Sequence, residues 1–274
     1  MSVTIKNVFK WSKIIIIIYC IIGIALFYLQ DKILFHPERL SLDYQFQFPN
    51  SFKEIFIPVN KKDTIHLVQF FPDKTIDTLK SKGVVLFFHG TKGNVKDCAE
   101  RVSLYTKNGY EVWMPDYPGF GKSVGLLNEK QLYEEGFQIM RLAENKFTKD
   151  EIIVQGEEFG AAIAANIAGF SELKHLILES PYKSVPDVMT TYLPIYPWSS
   201  MCHFKMPTVQ FLEDVKCPVT VLTSDKSNVD LKQFLKKNDK FILVQENAET
   251  ALSKTQLYEE TLLSVLKDSI SPLN

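Results

Sequence analysis

The pentapeptide Gly156-Glu157-Glu158-Phe159-Gly160 decides the fold of this chain. Residues 152–154, Ile-Ile-Val, predict a short buried strand, and the alanine-rich stretch 160–168 predicts the helix that follows it. Two glycines at this spacing are expected where a strand turns sharply into a helix, because the two backbones come too close for a Cβ atom. The residue at the tip of the predicted turn is Glu158.

Segments with strand and helix patterns alternate on both sides of this turn. The uninterrupted apolar run 84–88 suits a central strand of a parallel sheet that is covered on both faces. Residues 54–59 and 64–71, separated by the polar turn 60–63, predict an opening hairpin. Further strands are predicted at 111–115, 151–155, 173–178, 219–222 and 241–244, and helices at 95–107, 127–146, 159–170, 230–237 and 253–267. Repeated βα units of this kind predict an α/β domain with a mostly parallel, doubly wound sheet. The proline-rich stretch 182–216 is predicted to be a small lid inserted between two strands.

Four motifs follow one another along this alternation. Phe88-His89-Gly90-Thr91 ends the first long strand, and residues 116–123 read Asp-Tyr-Pro-Gly-Phe-Gly-Lys-Ser. Residues 176–182 read Leu-Ile-Leu-Glu-Ser-Pro-Tyr, and Cys217-Pro218-Val219 opens a later strand. In this order, over roughly residues 50–268, the chain resembles the α/β-hydrolase superfamily. It looks closest to the membrane-anchored abhydrolase-domain branch, with its serine-aminopeptidase-like and esterase- or lipase-like members. The resemblance implies an α/β-hydrolase fold.

The resemblance also marks the positions of a catalytic triad. In this superfamily a serine lies in the middle of a G-x-S-x-G turn, an acid follows the penultimate strand, and a histidine follows the last strand. The corresponding residues here are Glu158, Ser227 and Glu249, with Asp225 as a nearby carboxylate that could serve as the acid. No serine occurs between residues 124 and 170, and no histidine occurs after His203. The resemblance therefore implies a degenerate triad.

Other site residues are also carried over by the resemblance. The backbone N–H groups of Thr91 and Phe159 are expected to form the remnant of the oxyanion hole. Glu158, at the N-terminus of a helix, either caps that helix in solvent or turns its carboxylate onto these N–H groups. The pocket is expected to include His89, Gly90, Glu157 and Tyr117.

These assignments favour a protein that acts by binding a small ligand or a protein partner. A serine hydroxyl needs a nearby base to become a good nucleophile, and both the serine and the base are missing from the family positions. An active esterase or thioesterase with an atypical site is the alternative, and a gene losing its function is a third. No cofactor and no metal site are predicted, because the four cysteines lie far apart and show no metal-type spacing.

The N-terminal region predicts a membrane anchor. Residues 14–29 contain no charged side chain and are rich in isoleucine, and Lys6, Lys10 and Lys13 precede them. A helix of this length comes close to spanning the hydrocarbon core of a bilayer. The positive-inside rule predicts a single-pass protein with a cytoplasmic N-terminus (1–13), a transmembrane anchor (14–30), a linker (31–52) and an α/β-hydrolase domain (53–268) on the extracytoplasmic side.

The net charge of the chain bears on its binding partners, and the spacing of its cysteines bears on the state of its thiols. A net charge of −1, without a basic patch, excludes nucleic acid as an expected partner and leaves the membrane. The cysteines are expected to be buried thiols. A Cys202–Cys217 disulfide is the alternative if the compartment is oxidising.

Overall fold

The fold is built on one large sheet. The computed structural model describes residues 2–73, 80–244 and 252–267. Within these ranges, eight strands form the sheet in the order β8-β7-β6-β5-β3-β4-β2-β1. The strands are β1 (Phe52–Pro58), β2 (Thr64–Phe70), β3 (Gly83–Phe88), β4 (Tyr110–Pro115), β5 (Ile152–Glu157), β6 (His175–Glu179), β7 (Val219–Thr223) and β8 (Lys240–Leu243). Strand β2 pairs antiparallel with β1 and β4, and the remaining pairs are parallel. This is the sheet of an α/β-hydrolase fold, as the sequence predicted.

Helices cover both faces of the sheet. The described helices are α1 (Ser2–Leu34), α2 (Val95–Cys98), α3 (Val102–Thr106), α4 (Glu129–Glu144), α5 (Gly160–Phe170), α6 (Val185–Tyr192), α7 (Trp198–Met201), α8 (Thr208–Asp214) and α9 (Gln256–Lys267). Short 3-10 helices occupy Ala99–Arg101, Lys149–Glu151, Lys226–Phe234 and Leu252–Lys254. One buried apolar cluster lies between the sheet and α4, α5 and the lid, and a second lies between the sheet, α2, α3 and α9. Parallel strands covered on both faces explain the apolar runs in the sequence.

Two predicted helices differ from the structure. The segment 95–107 is not one helix, because the 3-10 turn Ala99–Arg101 divides it into α2 and α3. The segment 230–237 is not an α-helix either, since the 3-10 helix Lys226–Phe234 takes its place. The backbone N–H of Asn228 donates to the carbonyl of Asp225, and the Asn228 side chain donates to Thr223 Oγ1. Such local side-chain bonds compete with the α-helical pattern.

Helix α1 is longer than the predicted anchor and ends against the domain. It continues to Leu34, and within the described chain it is the helix whose segment Asn7–Leu34 is long and apolar enough to cross a membrane. The next residue, Phe35, is buried in the core of the domain. Residues His36–Pro37 then pair in parallel with Lys92–Gly93. The stretch expected to be a linker therefore begins by packing on the domain.

The lid region holds α6, α7 and α8 and connects β6 to β7. Trp198 of α7 is fully buried, and its indole N–H donates to the carbonyl of Leu193. Cys98, Cys202 and Cys217 are buried free thiols and Cys20 is an exposed one, so the Cys202–Cys217 disulfide is not formed.

Candidate functional site

The turn between β5 and α5 has the geometry of a nucleophile elbow. Glu158 has a φ of 48°, in the left-handed region that side chains other than glycine seldom adopt. A Cβ atom on Gly156 would lie 2.3 Å from the carbonyl oxygen of Gly160. A Cβ atom on Gly160 would lie 2.2 Å from the carbonyl oxygen of Phe88. Both glycines are therefore required by close backbone approaches, as the sequence indicated.

The Glu158 carboxylate points toward the loop that follows β3. An ideal Cβ atom on Gly90 would lie only 3.0 Å from Glu158 Oε2. Burial raises the pKa of Glu158, the neighbouring charge of Glu157 adds to this rise, and Lys92 and Arg101 oppose it. Glu158 is half-buried, and α5, whose N-cap residue is Phe159, has no side-chain cap hydrogen bond. Its carboxylate stands over the oxyanion loop, residues 89–91, without accepting a hydrogen bond from any described residue.

The two expected oxyanion donors belong to residues next to Gly90 and Glu158 in the sequence. Phe159 is buried at the start of α5, and Thr91 follows Gly90 in the oxyanion loop. Neither backbone N–H donates a hydrogen bond to another described residue. Both N–H groups thus stay available to an acceptor, as the predicted oxyanion-hole remnant requires.

The end of the α1 segment supports both donors. The backbone N–H of His36 donates to the carbonyl oxygen of Thr91 at 2.8 Å. The ring of Phe35 packs edge-on against Phe159, with 4.7 Å between centroids, and against Phe204 of the lid at 4.7 Å. Residues 35 and 36 therefore connect α1 directly to Phe159 and Thr91, the two residues expected to supply the oxyanion donors.

Two of the expected pocket residues, His89 of the oxyanion loop and Tyr117, are buried instead of lining an open pocket. His89 and Tyr117 are 1% and 3% exposed, and the Tyr117 hydroxyl donates to the His89 carbonyl oxygen at 2.6 Å. Their rings lie 4.2 Å apart. Burial lowers the pKa of His89, against the opposing charge of Asp116, so this imidazole is neutral near pH 7. The pair holds the loop against the core because both side chains are packed there.

Glu157 also has a structural partner. Its carboxylate lies 2.5 Å from Nη2 of Arg101, and Nη1 of Arg101 binds both oxygens of Glu179 at 3.0 Å. Burial alone would lower the pKa of Arg101, but Glu179 and Glu157 raise it above its ordinary value. Glu157 and Glu158 are adjacent in sequence, yet one binds Arg101 and the other faces the oxyanion loop.

All five histidines fall within the described residues, and none hydrogen-bonds to Glu158. His66 lies between Asp116 and Glu54, with 2.9 Å to each carboxylate. Nδ1 of His89 bonds to the Gly90 carbonyl at 2.8 Å, while its Nε2 is 3.7 Å from Asp116 Oδ1. The other three are tied elsewhere: His175 to Thr220, His203 to Asp31, and His36 through its backbone to Thr91.

The region of the expected acid borders a cavity. Asp225 lies in the loop after β7, and Ser227 lies within the 3-10 helix Lys226–Phe234. Glu249 lies outside the described residues. The cavity has a volume of about 360 Å³, and its walls include Tyr182, Asp187, Val188, Tyr192, Asp225 and Asn228. Tyr182 of the cavity wall lies three residues after Glu179, which pairs with Glu157, so this wall is near the elbow. Burial, and next the charge of Glu158, raise the pKa of Tyr182 to about 12. Among the described residues, no cluster of three or more His, Cys, Asp or Glu side chains is arranged to hold a metal ion.

The sheet order, the glycine-flanked elbow and the oxyanion loop together define a protein of the α/β-hydrolase class. Residues 80–261 match the family described as serine aminopeptidase, S33. The chain belongs to this family.

Similar proteins come from several organisms. Protein bem46 of Schizosaccharomyces pombe is 24% identical over 247 residues, covering 84% of this chain and 80% of its own. The α/β-hydrolase domain-containing protein aho-3 of Caenorhabditis elegans is 29% identical over 149 residues, covering 50% of this chain. Lysophosphatidylserine lipase ABHD12 of Macaca fascicularis is 24% identical over 170 residues, covering 54% of this chain. The matched region is 41% of the length of aho-3 and 42% of that of ABHD12.

Solved structures with the same fold include two hydrolases. An α/β-hydrolase from Vibrio vulnificus has a TM-score of 0.63 and 18% identity, covering 78% of this chain and 81% of its own. A Pyrococcus furiosus esterase has a TM-score of 0.60 and 15% identity, covering 85% of this chain and 97% of its own. At these identities the likeness concerns the fold.

Two features of the site were missed by sequence reasoning. Arg101 carried no motif, and a cationic residue in a predicted amphipathic helix is usually solvent-exposed. Phe35 lay in the expected linker, and only its place directly after a long apolar helix set it apart. Both contacts join residues distant in sequence.

Proposed function

We propose that this chain is a membrane-anchored α/β-hydrolase-fold protein with a degenerate catalytic triad, and that it binds a small ligand beside the elbow instead of hydrolysing it. The observation that carries the proposal is Glu158. It occupies the position where the family has its nucleophile, and its carboxylate lies close to Gly90 of the oxyanion loop.

The surroundings of Glu158 support a non-catalytic role. Catalysis by a carboxylate nucleophile would form an ester, and an activated water would then have to cleave it. A histidine is the usual base for such a step. Four of the five imidazoles bond to other residues, and the imidazole of His36 makes no hydrogen bond to Glu158 within the described residues. The family names and the esterase and lipase neighbours support the alternative, an active esterase or thioesterase with an atypical site.

The cavity beside the elbow is the proposed ligand site. Its volume of about 360 Å³ lies at the lower end of the range of small-molecule pockets. Its lining combines the aromatic side chains of Tyr182 and Tyr192 with the polar side chains of Asp225 and Asn228. Such a mixture suits an amphiphilic small molecule.

The N-terminal helix supports the location. The apolar segment Asn7–Leu34 is the proposed single membrane span. Lys10 and Lys13 near its start, against the balanced pair Asp31 and Lys32 at its end, favour a cytoplasmic N-terminus and an extracytoplasmic domain.

The catalytic question is tested with a fluorophosphonate probe and a short-chain p-nitrophenyl ester on the full chain in mild detergent. We expect no labelling or turnover above heat-denatured protein. Glu158→Ser alone is expected to stay inactive, since the base would still be missing. The triple variant Glu158→Ser, Ser227→Asp, Glu249→His should be labelled by the probe if the oxyanion hole is intact. The control triple variant, which carries Glu157→Ser in place of Glu158→Ser, should not be labelled.

The binding question has its own readout. Small molecules that copurify with the protein are extracted and identified by mass spectrometry, and the preparation is compared with Val188→Trp, which would fill the cavity. A ligand present in the wild type and lost in Val188→Trp supports the proposal. Turnover by the wild type that Glu158→Gln abolishes would establish the active alternative.

A further inference from the structure

The lid runs along the anchor helix over much of the predicted membrane span. At one end the rings of Tyr19 and Tyr196 stack at 4.6 Å with 6° between their planes. The Tyr19 hydroxyl donates to the carbonyl of Ile195 at 2.9 Å. At the other end Gln30 Nε2 donates to the carbonyl of Met201 at 3.1 Å, and the backbone N–H of His203 donates to Gln30 Oε1. Contacts from Tyr19 to Gln30 cover about 16 Å of helix, at 1.5 Å per residue.

This stretch of α1 is needed for any membrane span. Lys10 and Lys13 come before it and Asp31 and Lys32 after it. Without residues 19–30, only residues 14–18 remain free of charge, and five residues cover about 8 Å of a hydrocarbon core of about 30 Å. If α1 crosses the membrane, residues 19–30 are in the bilayer, and the lid segment packed beside them is at the same depth.

The sequence of that lid segment fits an apolar environment. Residues 188–202, here called the lid loop, contain no Asp, Glu, Lys, Arg or His, although Asp187 and Lys205 lie just outside. Its exposed side chains include Tyr192 and Ile195, which are 77% and 64% accessible. Exposed apolar side chains clustered in this way mark an interaction surface.

The backbone of the lid loop also suits the membrane, where peptide groups must be satisfied within the protein. Pro194 and Pro197 have no N–H to satisfy. The carbonyl of Leu193 accepts from the Trp198 indole at 2.7 Å, and that of Ile195 accepts from Tyr19. The irregular turn is thus stabilised by side chains from both the lid and the anchor.

We infer that the lid loop is a second membrane element, immersed beside α1 in the leaflet on the domain's side, with lipid acyl chains covering Tyr192 and Ile195. This rests on the proposed membrane anchor. The inference also places one wall of the cavity at the bilayer, because Val188 and Tyr192 belong both to the lid loop and to the cavity wall.

Depth-dependent quenching tests the inference. A fluorescent NBD probe is attached to single cysteines in a Cys20→Ser background, because the other three thiols are buried. The sites are Ile195→Cys in the lid loop, Ile21→Cys in α1, and Phe170→Cys as the control. Phe170 is 73% exposed at the end of α5 farthest from the elbow. The full chain is placed in phosphatidylcholine vesicles that contain acyl-chain spin-labelled phosphatidylcholine.

The inference predicts a blue-shifted, strongly quenched probe at 195, matching the probe at 21, and an unquenched probe at 170. Quenching at 21 without quenching at 195 would overturn the lid inference and leave the anchor standing. No quenching at either site would contradict the anchor itself. Two further outcomes would overturn the side-by-side arrangement. One is quenching of the probe at 195 without quenching of the probe at 21, and the other is equal quenching of the probes at all three sites.

Discussion

Replacing Glu158 with glycine tests whether the elbow is a strained turn. Glu158 holds a φ of 48°, and the left-handed conformation costs a residue with a Cβ atom about 1–2 kcal/mol. Glycine removes that strain but loses about 0.5–1 kcal/mol through the greater freedom of its unfolded chain. The two backbone terms leave a net gain between about 0 and 1.5 kcal/mol in the free energy of unfolding, or about 0.75 kcal/mol at their midpoints.

The carboxylate adds a contribution that depends on pH. The pKa of Glu158 is raised in the folded protein by burial first and by Glu157 second. The folded state therefore binds more protons than the unfolded state between the unfolded pKa and the higher folded pKa. Stability falls as pH rises through that window, and the full penalty is present above it. Glu158→Gly removes this penalty as well, so its gain is larger at pH 8 than in acid.

The assay is thermal unfolding of the full chain in detergent, at pH 8 and at acid pH. For a domain of this size, about 1 kcal/mol corresponds to a rise in Tm of about 2–4 °C. The matched control is Glu158→Ala, which removes the carboxylate and keeps the strain, so it should gain only at the higher pH. A fall in Tm for Glu158→Gly, or a rise equal to that of Glu158→Ala, would show that the turn is not strained as reasoned.

Three further substitutions address the elements around the elbow. Gly160→Ala should prevent stable folding, seen as loss of a cooperative transition, because its Cβ would lie 2.2 Å from a carbonyl oxygen of β3. Phe35→Ala should lower the free energy of unfolding, measured in urea, by about 3–5 kcal/mol. The control Phe170→Ala, at an exposed site, should change it by less than about 0.5 kcal/mol. Equal effects of the two substitutions would contradict the packing of Phe35 in the core. Burial raises the pKa of Glu179 to about 7 even beside Arg101. Arg101→Met should therefore cost most at alkaline pH, about 3–5 kcal/mol, where the buried Glu179 would be left ionised without its cation. That loss should shrink in acid, where the carboxylate is protonated, and a loss independent of pH would argue against the ion pair.

The chain at the end of α1 contacts the elbow and the oxyanion loop. Phe35 lies against Phe159, and His36 bonds to Thr91, so both oxyanion donors are held by the residues that leave the helix. The same helix binds the lid through Tyr19 and Gln30. Displacing α1 would therefore disturb the hole and the lid together.

Much of the domain was readable from local patterns. The apolar run at 84–88, the glycines at 156 and 160 and the βα alternation each depend on neighbouring residues, and the strands lie within a few residues of their predicted positions. The absence of a histidine after His203 is likewise a property of the chain itself. The division of 95–107 was not readable, because Arg101 turns inward to carboxylates more than 50 residues away.

Tertiary structure decided where each side chain of the elbow points. Glu157 and Glu158 are identical neighbours, and either could have met a cation or the oxyanion loop. Glu157 ends a strand and faces Arg101, while Glu158 adopts a left-handed turn and stands over Gly90. Local residue patterns specify strands, helices and turns because these depend on nearby backbone and periodic burial. The partners of a charged side chain depend on which distant segments the fold brings beside it.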